Sequence, residues 1–164
     1  MIPLVGFVGQ SNAGKTTLIE KVIRELKARG YRLATLKHHH GDFEIDREGK
    51  DTWRHARAGA DTVVLASPTK VAMIKKLSRE MSLAEVAALV TDVDLIIVEG
   101  YKQGPQPKIE VFRSAVQSEL VCSPRELLAV ASDVPLNLGI PCFSLDDPVG
   151  LADFIASKFL KPGG

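Results

Sequence analysis

Cysteine is scarce: Cys122 and Cys142 are the only two in 164 residues. They stand in no C-x-x-C or ligand-like spacing, which excludes a disulfide framework or a zinc knuckle and leaves two inert thiols. Neither sign of charge is in excess, with 21 basic residues against 20 acidic ones and a net charge of +1. That balance lacks the electrostatic footprint of a general nucleic-acid or membrane-surface binder, so any polyanion held must be small or locally bound. No apolar run approaches membrane length, and the first, Leu4 to Val8, has no basic segment before it. It reads as neither signal peptide nor membrane span, and the expectation is a cytoplasmic protein. Repeats, low-complexity segments and internal linkers are missing too. What remains, 45% hydrophobic and 25% charged, reads as one globular domain over residues 1–164.

What the chain does have is "GFVGQSNAGKTTLIEK" from Gly6 onward. An apolar run ends at Gly9; Gln10, Ser11, Asn12 and Ala13 follow, and then Gly14, Lys15, Thr16 and Thr17, the G-x-x-x-x-G-K-T pattern of a phosphate loop. Successive backbone amides from Gly9 to Lys15 would form an anion nest, and a helix starting near Gly14 would add its positive dipole end. Lys15 supplies a point charge for the β- and γ-phosphates. The Thr16 hydroxyl is an oxygen ligand suited to Mg²⁺.

The flanking pattern fits that context. Leu4 to Val8 reads as a buried strand, and Leu18, Ile19, Val22, Ile23 and Leu26 form one helical stripe closed by Gly30. Arg32 to Leu36 reads as a second strand, Asp42 to Lys50 as a mobile loop, and Asp51 to Ala58 as a short helix. Thr62 to Ala66 and Val71 to Ile74 flank a turn at Ser67 to Lys70, predicting a hairpin at the edge of the sheet. Ser82 with Glu85 has the spacing of a capping box ahead of Leu83, Val86, Ala87 and Val90. Leu95 to Val98 is apolar throughout, as parallel strands covered on both faces are. Ile109 to Phe112 alternates like an edge strand, Leu127 to Ala131 reads as buried, and Asp147-Pro148 starts a last helix. Alternating strands and helices predict a three-layer α/β fold of the P-loop NTPase kind, mostly parallel, with an antiparallel edge hairpin.

A phosphate loop needs a carboxylate near its metal, and Glu99, at the carboxyl end of the apolar strand, is the first candidate. Asp42, Glu44 and Asp46 compete from the loop after strand two, where nucleotide-sensing switches reside. The run His38-His39-His40 suggests a metal site, but adjacent residues of an extended chain face opposite ways; His39 with His55 is the alternative pairing. Lys37 with one histidine suits contact with phosphate or a neighbouring backbone. Trp53, Arg54 and His55 read equally as a partner surface or as a helix packing its aromatic inward.

Four stretches together, "GQSNAGKTTLIEKVI", "LATLKHHHGDFEIDREGKDTWRHARAGAD", "DLIIVEGYK" and "PKIEVFR", resemble the molybdopterin-guanine dinucleotide biosynthesis adaptor family, MobB, over about residues 3 to 160. The second stretch is the most specific. The resemblance implies a GTP-binding protein of weak intrinsic GTPase activity that assists the guanylyltransferase joining GMP to molybdopterin, and a homodimer. Partners in this reading are the molybdenum cofactor guanylyltransferase and molybdopterin or a molybdoenzyme, with no nucleic acid and no membrane. The matching positions are Gly9, Gly14, Lys15, Thr16 and Thr17, then Asp42 and Asp46, then Glu99 and Gly100. Lys15, Asp42 and Glu99 are the candidate catalytic set, with Thr16, Asp42 and Glu99 as candidate Mg²⁺ ligands.

Two departures shape the expectation. Related dimeric P-loop ATPases carry a second lysine after the first glycine of the loop, where this chain has Gln10. No [NT]-K-x-D guanine-reading tetrad occurs, and Asp133, after Ala131-Ser132, is the candidate substitute. Slow turnover is the natural expectation without a supplied arginine or a placed glutamine. Three readings stay open: an accessory GTPase, a small-molecule kinase, and a non-catalytic scaffold gated by nucleotide.

Overall fold

The structure is a computed structural model and describes residues 1–161. The described chain forms two compact units, residues 1–38 with 83 onward, and residues 39–82.

The first unit is built on a six-stranded sheet in the order β2-β5-β1-β6-β7-β8. Its strands are β1 (Leu4–Val8), β2 (Leu33–Lys37), β5 (Leu95–Glu99), β6 (Lys108–Phe112), β7 (Leu127–Ser132) and β8 (Cys142–Ser144), and every neighbouring pair is parallel. Parallel pairing requires crossovers, and helix α1 (Lys15–Ala28) supplies the first. Alternate residues divide the strands between two faces. Val5, Phe7, Leu95, Ile97, Ile109, Val111, Ala129 and Ala131 pack with Leu18, Ile19, Val22 and Leu26 of α1 and with Leu151, Ala152 and Ile155 of α4 (Pro148–Phe159). On the other face Ile96 and Val98 meet Leu83 of α3 (Leu83–Ala87), while Val8, Phe112, Leu127 and Val130 meet Cys122 and residues of the 120–140 loops. Covering on both faces is why Leu95 to Val98 reads as an unbroken apolar run.

The expected fold class is borne out, and several boundaries agree. Gly30 adopts φ +89° after α1, the left-handed cap a glycine accommodates without a Cβ penalty. The Asp147 carboxylate accepts the Gly150 amide at 2.8 Å at the start of α4. Two expectations are corrected. β6 is not an edge strand: it lies between β1 and β7 and all five residues are buried. Its polar alternates Lys108 and Glu110 are both buried, and the Val121 and Cys122 amides of the loop after the strand satisfy Glu110, so the Glu110 alternate reflects a buried polar contact. Helix α3 ends at Ala87, short of Val90, so that short helix and irregular loops form the third layer.

The second unit contains α2 (Asp51–Arg57) and an antiparallel hairpin, β3 (Thr62–Ala66) with β4 (Val71–Lys75). The Ser67 amide bonds the Lys70 carbonyl at 2.8 Å, and the Ser67 hydroxyl accepts the Thr69 and Lys70 amides. The hairpin forms where the turn chemistry puts it, but as a separate two-stranded sheet. Turn residues specify a hairpin locally and carry nothing about which sheet it joins.

Candidate functional site

Residues 9–14 connect β1 to α1 through three left-handed positions: Gly9 (φ +143°), Asn12 (φ +64°) and Gly14 (φ +93°). Gly9 has no room for a side chain, because a Cβ there would collide with the Val111 carbonyl oxygen on β6. Ala13 is fully buried and anchors the bend, while Gln10, Ser11 and Asn12 are exposed. Gly14 caps α1 with no side-chain hydrogen bond to the first-turn amides. Those amides are donors without a cap at the positive end of a fourteen-residue helix, which favours an anion.

Lys15 folds back over the loop, donating from Nζ to the Gly9 carbonyl at 3.2 Å and the Gln10 carbonyl at 2.8 Å. Its pKa lies below the ordinary lysine value, chiefly through burial; Glu99 opposes that shift, and Lys102 and Lys37 add to it. Thr16, the next residue, donates its hydroxyl to Glu99 Oε1 at 3.2 Å. The same carboxylate oxygen lies 3.6 Å from Lys37 Nζ at the end of β2. Lys15, Lys37 and Thr16 thus gather around one carboxylate beyond the carboxyl ends of β1, β2 and β5, where ligands of open parallel sheets bind. Thr17 begins the exposed face of α1.

The strand-end turn after Glu99 is tightly shaped. Gly100 takes φ +98° and Tyr101 φ +50°, and the Tyr101 ring lies 4.3 Å from that of His38. Asp133 follows β7, exposed, and accepts the Ser114 amide at 2.8 Å and the Ser114 hydroxyl at 2.9 Å. The Ser114 amide is the main reason its pKa is depressed.

The other candidate carboxylates belong to the second unit. Asp42 is exposed and accepts the Phe43 amide. Asp46 accepts the Arg47 amide at 2.8 Å and the Thr52 hydroxyl at 3.1 Å, which ties it to the first turn of α2. In that helix the Arg57 guanidinium lies 5.1 Å from the centre of the Trp53 ring. Among the described residues no three His, Cys, Asp or Glu side chains gather to hold a metal ion. Thr16 and Glu99 offer a different donor set, two hard oxygens 3.2 Å apart. It suits Mg²⁺, which takes few protein ligands and completes its octahedron with water and phosphate. Sequence reasoning reached Glu99 and Thr16. It left Arg113 and Gln117 aside, although both touch the loop between β1 and α1, because they lie 100 and 107 positions from their partners in it.

A parallel sheet with a glycine-bounded loop leading into α1, a lysine laid over that loop and a strand-end carboxylate on the next threonine define a P-loop-like α/β protein. A family profile described as "Molybdopterin guanine dinucleotide synthesis protein B", MobB, matches residues 4–133. The molybdopterin-guanine dinucleotide biosynthesis adapter protein of Escherichia coli (strain K12) is 40% identical over 171 aligned residues, covering 100% of this chain and 97% of the relative. The adapter protein of the same name from Haemophilus influenzae is 40% identical over 156 residues, covering 94% and 88%. A solved structure, Bacillus subtilis MobB, superposes with a TM-score of 0.75 at 28% identity, over 96% of this chain and 98% of that one. The chain belongs to the MobB family. No helix among its described residues is long and apolar enough to cross a membrane.

Proposed function

We propose that the protein is a cytoplasmic GTP-binding accessory factor of molybdopterin guanine dinucleotide synthesis, with weak GTPase activity, assisting the guanylyltransferase that joins GMP to molybdopterin. The observation that carries the nucleotide part is the meeting of Thr16 and Glu99 at 3.2 Å beside Lys15. Membership of a family whose relatives are named adapter proteins supports the pathway.

In this reading the amides of residues 9–15 receive the β- and γ-phosphates, and Lys15 exchanges the Gly9 and Gln10 carbonyls for phosphate oxygens. Thr16 and Glu99 would hold Mg²⁺, which when bound neutralises charge on the phosphate oxygens. Glu99 also orients the Thr16 hydroxyl and keeps Lys37 nearby. Asp42 remains the proposed switch-loop carboxylate, supported by its place in the matched motif. Asp133, its oxygens already oriented by Ser114, is the proposed acceptor for the N–H groups of guanine; a carboxylate has about four lone-pair sites, so the two Ser114 donors leave room for a base. None of these residues is a supplied arginine or a glutamine placed to orient a water, which accords with slow hydrolysis.

A homodimer belongs to the same proposal. Val64, Leu65, Val71 and Met73 of the β3–β4 hairpin are exposed, and a two-stranded sheet with open edges favours pairing with a second copy. Light scattering that finds only monomer at micromolar concentration would remove it.

The test of the nucleotide reading is a paired titration of fluorescent GTP and ATP analogues with Mg²⁺, using Lys15→Ala as control. Preference for GTP, lost in the variant, supports the accessory GTPase. Equal binding of both, or preference for ATP, moves the reading to a small-molecule kinase or a general nucleotide-gated scaffold.

A further inference from the structure

The segment that follows β6 touches the phosphate loop twice, and neither contact belongs to the G-x-x-x-x-G-K-T pattern. Arg113 donates from Nε to the Ala13 carbonyl at 3.3 Å, and its guanidinium stands 3.1 Å from the point a Cβ on Gly14 would occupy. Gln117 accepts the Gln10 amide on Oε1 at 3.4 Å. The two contacts therefore hold the first and last residues of the bend from Gln10 to Ala13. They act as one piece, because the Val116 and Gln117 amides both close on the Arg113 carbonyl, at 2.9 Å and 3.1 Å.

Gln117 is fixed from behind by a carboxylate that the nucleotide reading leaves unused. Glu110 is fully buried on central strand β6. It accepts the Val121 amide at 2.6 Å, the Cys122 amide at 2.9 Å and Gln117 Nε2 at 3.1 Å. Gln117 Nε2 also donates to the Glu119 carbonyl at 3.1 Å. A glutamine amide has one donor end and one acceptor end. With the donor end committed to Glu110 and Glu119, the acceptor end is left facing the Gln10 N–H.

We propose that Arg113 and Gln117 are positioning residues of the phosphate site, and that Glu110 is the buried anchor that orients Gln117. A loop with three left-handed residues has many alternative shapes, and holding it open before the ligand arrives removes an ordering cost from binding. The brace acts through backbone groups of Gln10 and Ala13, so it works whatever side chains those positions carry. The inference rests on the reading of residues 9–17 as a phosphate site.

The test compares Gln117→Met, Gln117→Ala and Arg113→Ala in the full chain by affinity for a fluorescent GTP analogue with Mg²⁺, by thermal melting without nucleotide, and by hydrogen exchange at the Gln10 amide. Met keeps the length and shape of Gln117 without its amide. Both Gln117 variants should weaken binding roughly threefold to tenfold, and Arg113→Ala roughly tenfold, the range expected for one lost hydrogen bond. Melting should change little in Arg113→Ala, whose side chain is partly exposed, and fall by a few degrees in both Gln117 variants, which take a donor from the buried Glu110; the Gln10 amide should exchange faster in both Gln117 variants. Normal binding by Gln117→Met, or unchanged exchange at Gln10, overturns the proposal, because packing alone would then explain the contact. If the natural chain binds no nucleotide the phosphate-site reading fails, while exchange at Gln10, which needs no ligand, still decides whether Gln117 holds the loop.

Discussion

Thr16 and Glu99, 83 positions apart, share a hydrogen bond of 3.2 Å at the start of helix α1. The contact exists because β5 pairs with β1 in parallel, with Phe7 opposite Glu99, so both strands deliver their carboxyl ends to the same edge of the sheet. The loop of residues 9–14 starts a helix beyond one strand, and the carboxylate that ends the other strand meets the first turn of that helix. The Glu99 oxygen is shared with Lys37, which extends the same edge to β2.

Replacing Glu99 by Gln separates metal from nucleotide. The variant keeps the shape and an acceptor for Thr16 but removes the charge. Nucleotide affinity measured without Mg²⁺ should change by less than about threefold, the strengthening by Mg²⁺ should be lost, and hydrolysis should slow roughly tenfold or more. Isothermal titration with and without Mg²⁺ checks the first two, and phosphate release the third. Full Mg²⁺ dependence in the variant would show that another group serves the metal.

Lys15→Ala should abolish nucleotide binding and leave the fold intact. The ammonium is partly desolvated, which disfavours its charged form, so its removal carries little penalty for folding. Melting temperatures of the two proteins without ligand should agree within a few degrees, and only the natural chain should be stabilised by added nucleotide.

Gly9→Ala and Gly30→Ala differ in what the new methyl meets. Both positions are left-handed, at φ +143° and +89°, so each substitution carries backbone strain of about 1 kcal/mol or more. At Gly30 nothing lies within 4 Å, whereas at Gly9 the Cβ would collide with the Val111 carbonyl on β6. Gly9→Ala should therefore cost roughly 2 kcal/mol beyond Gly30→Ala. Urea unfolding of the pair measures the difference, and equal costs would mean that β6 gives way.

Acid should weaken the fold partly through Asp94. Its carboxylate accepts the Arg32 amide at 2.7 Å and faces the Arg32 guanidinium at 3.3 Å, and the amide bond is the first cause of its depressed pKa. A carboxylate held below its unfolded pKa adds stability above that pKa and loses it as pH falls through the folded value, so the loss begins near pH 4 and grows below it. Asp94→Asn should be less stable than the natural chain at neutral pH and lose less on acidification. Parallel acid-unfolding curves for the two would show that the bond between the starts of β2 and β5 is energetically silent.

By itself the sequence determined the parts whose signals are local. The bend between β1 and α1 is a matter of φ values that Gly9 and Gly14 permit, with a lysine and a threonine at set offsets after it. The apolar run at Leu95 to Val98 demands cover on both faces, and Ser67 to Lys70 closes a hairpin through its own hydroxyl. These follow from chemistry within a few residues, and the resemblance to MobB rests on such blocks. Strand order was not legible, and so Ile109 to Phe112 reads as an edge although β6 is central: alternation records which residues are polar, while the partner that satisfies a buried Glu110 comes from a loop beyond the strand. For the same reason the hairpin could be located but not assigned to a sheet. Tertiary structure alone decided that Lys37 joins Thr16 on Glu99, and that Arg113 and Gln117, after the neighbouring strand β6, meet the loop between β1 and α1. Those contacts arise where parallel strands from distant parts of the chain end side by side, a consequence of pairing that no short stretch of sequence encodes.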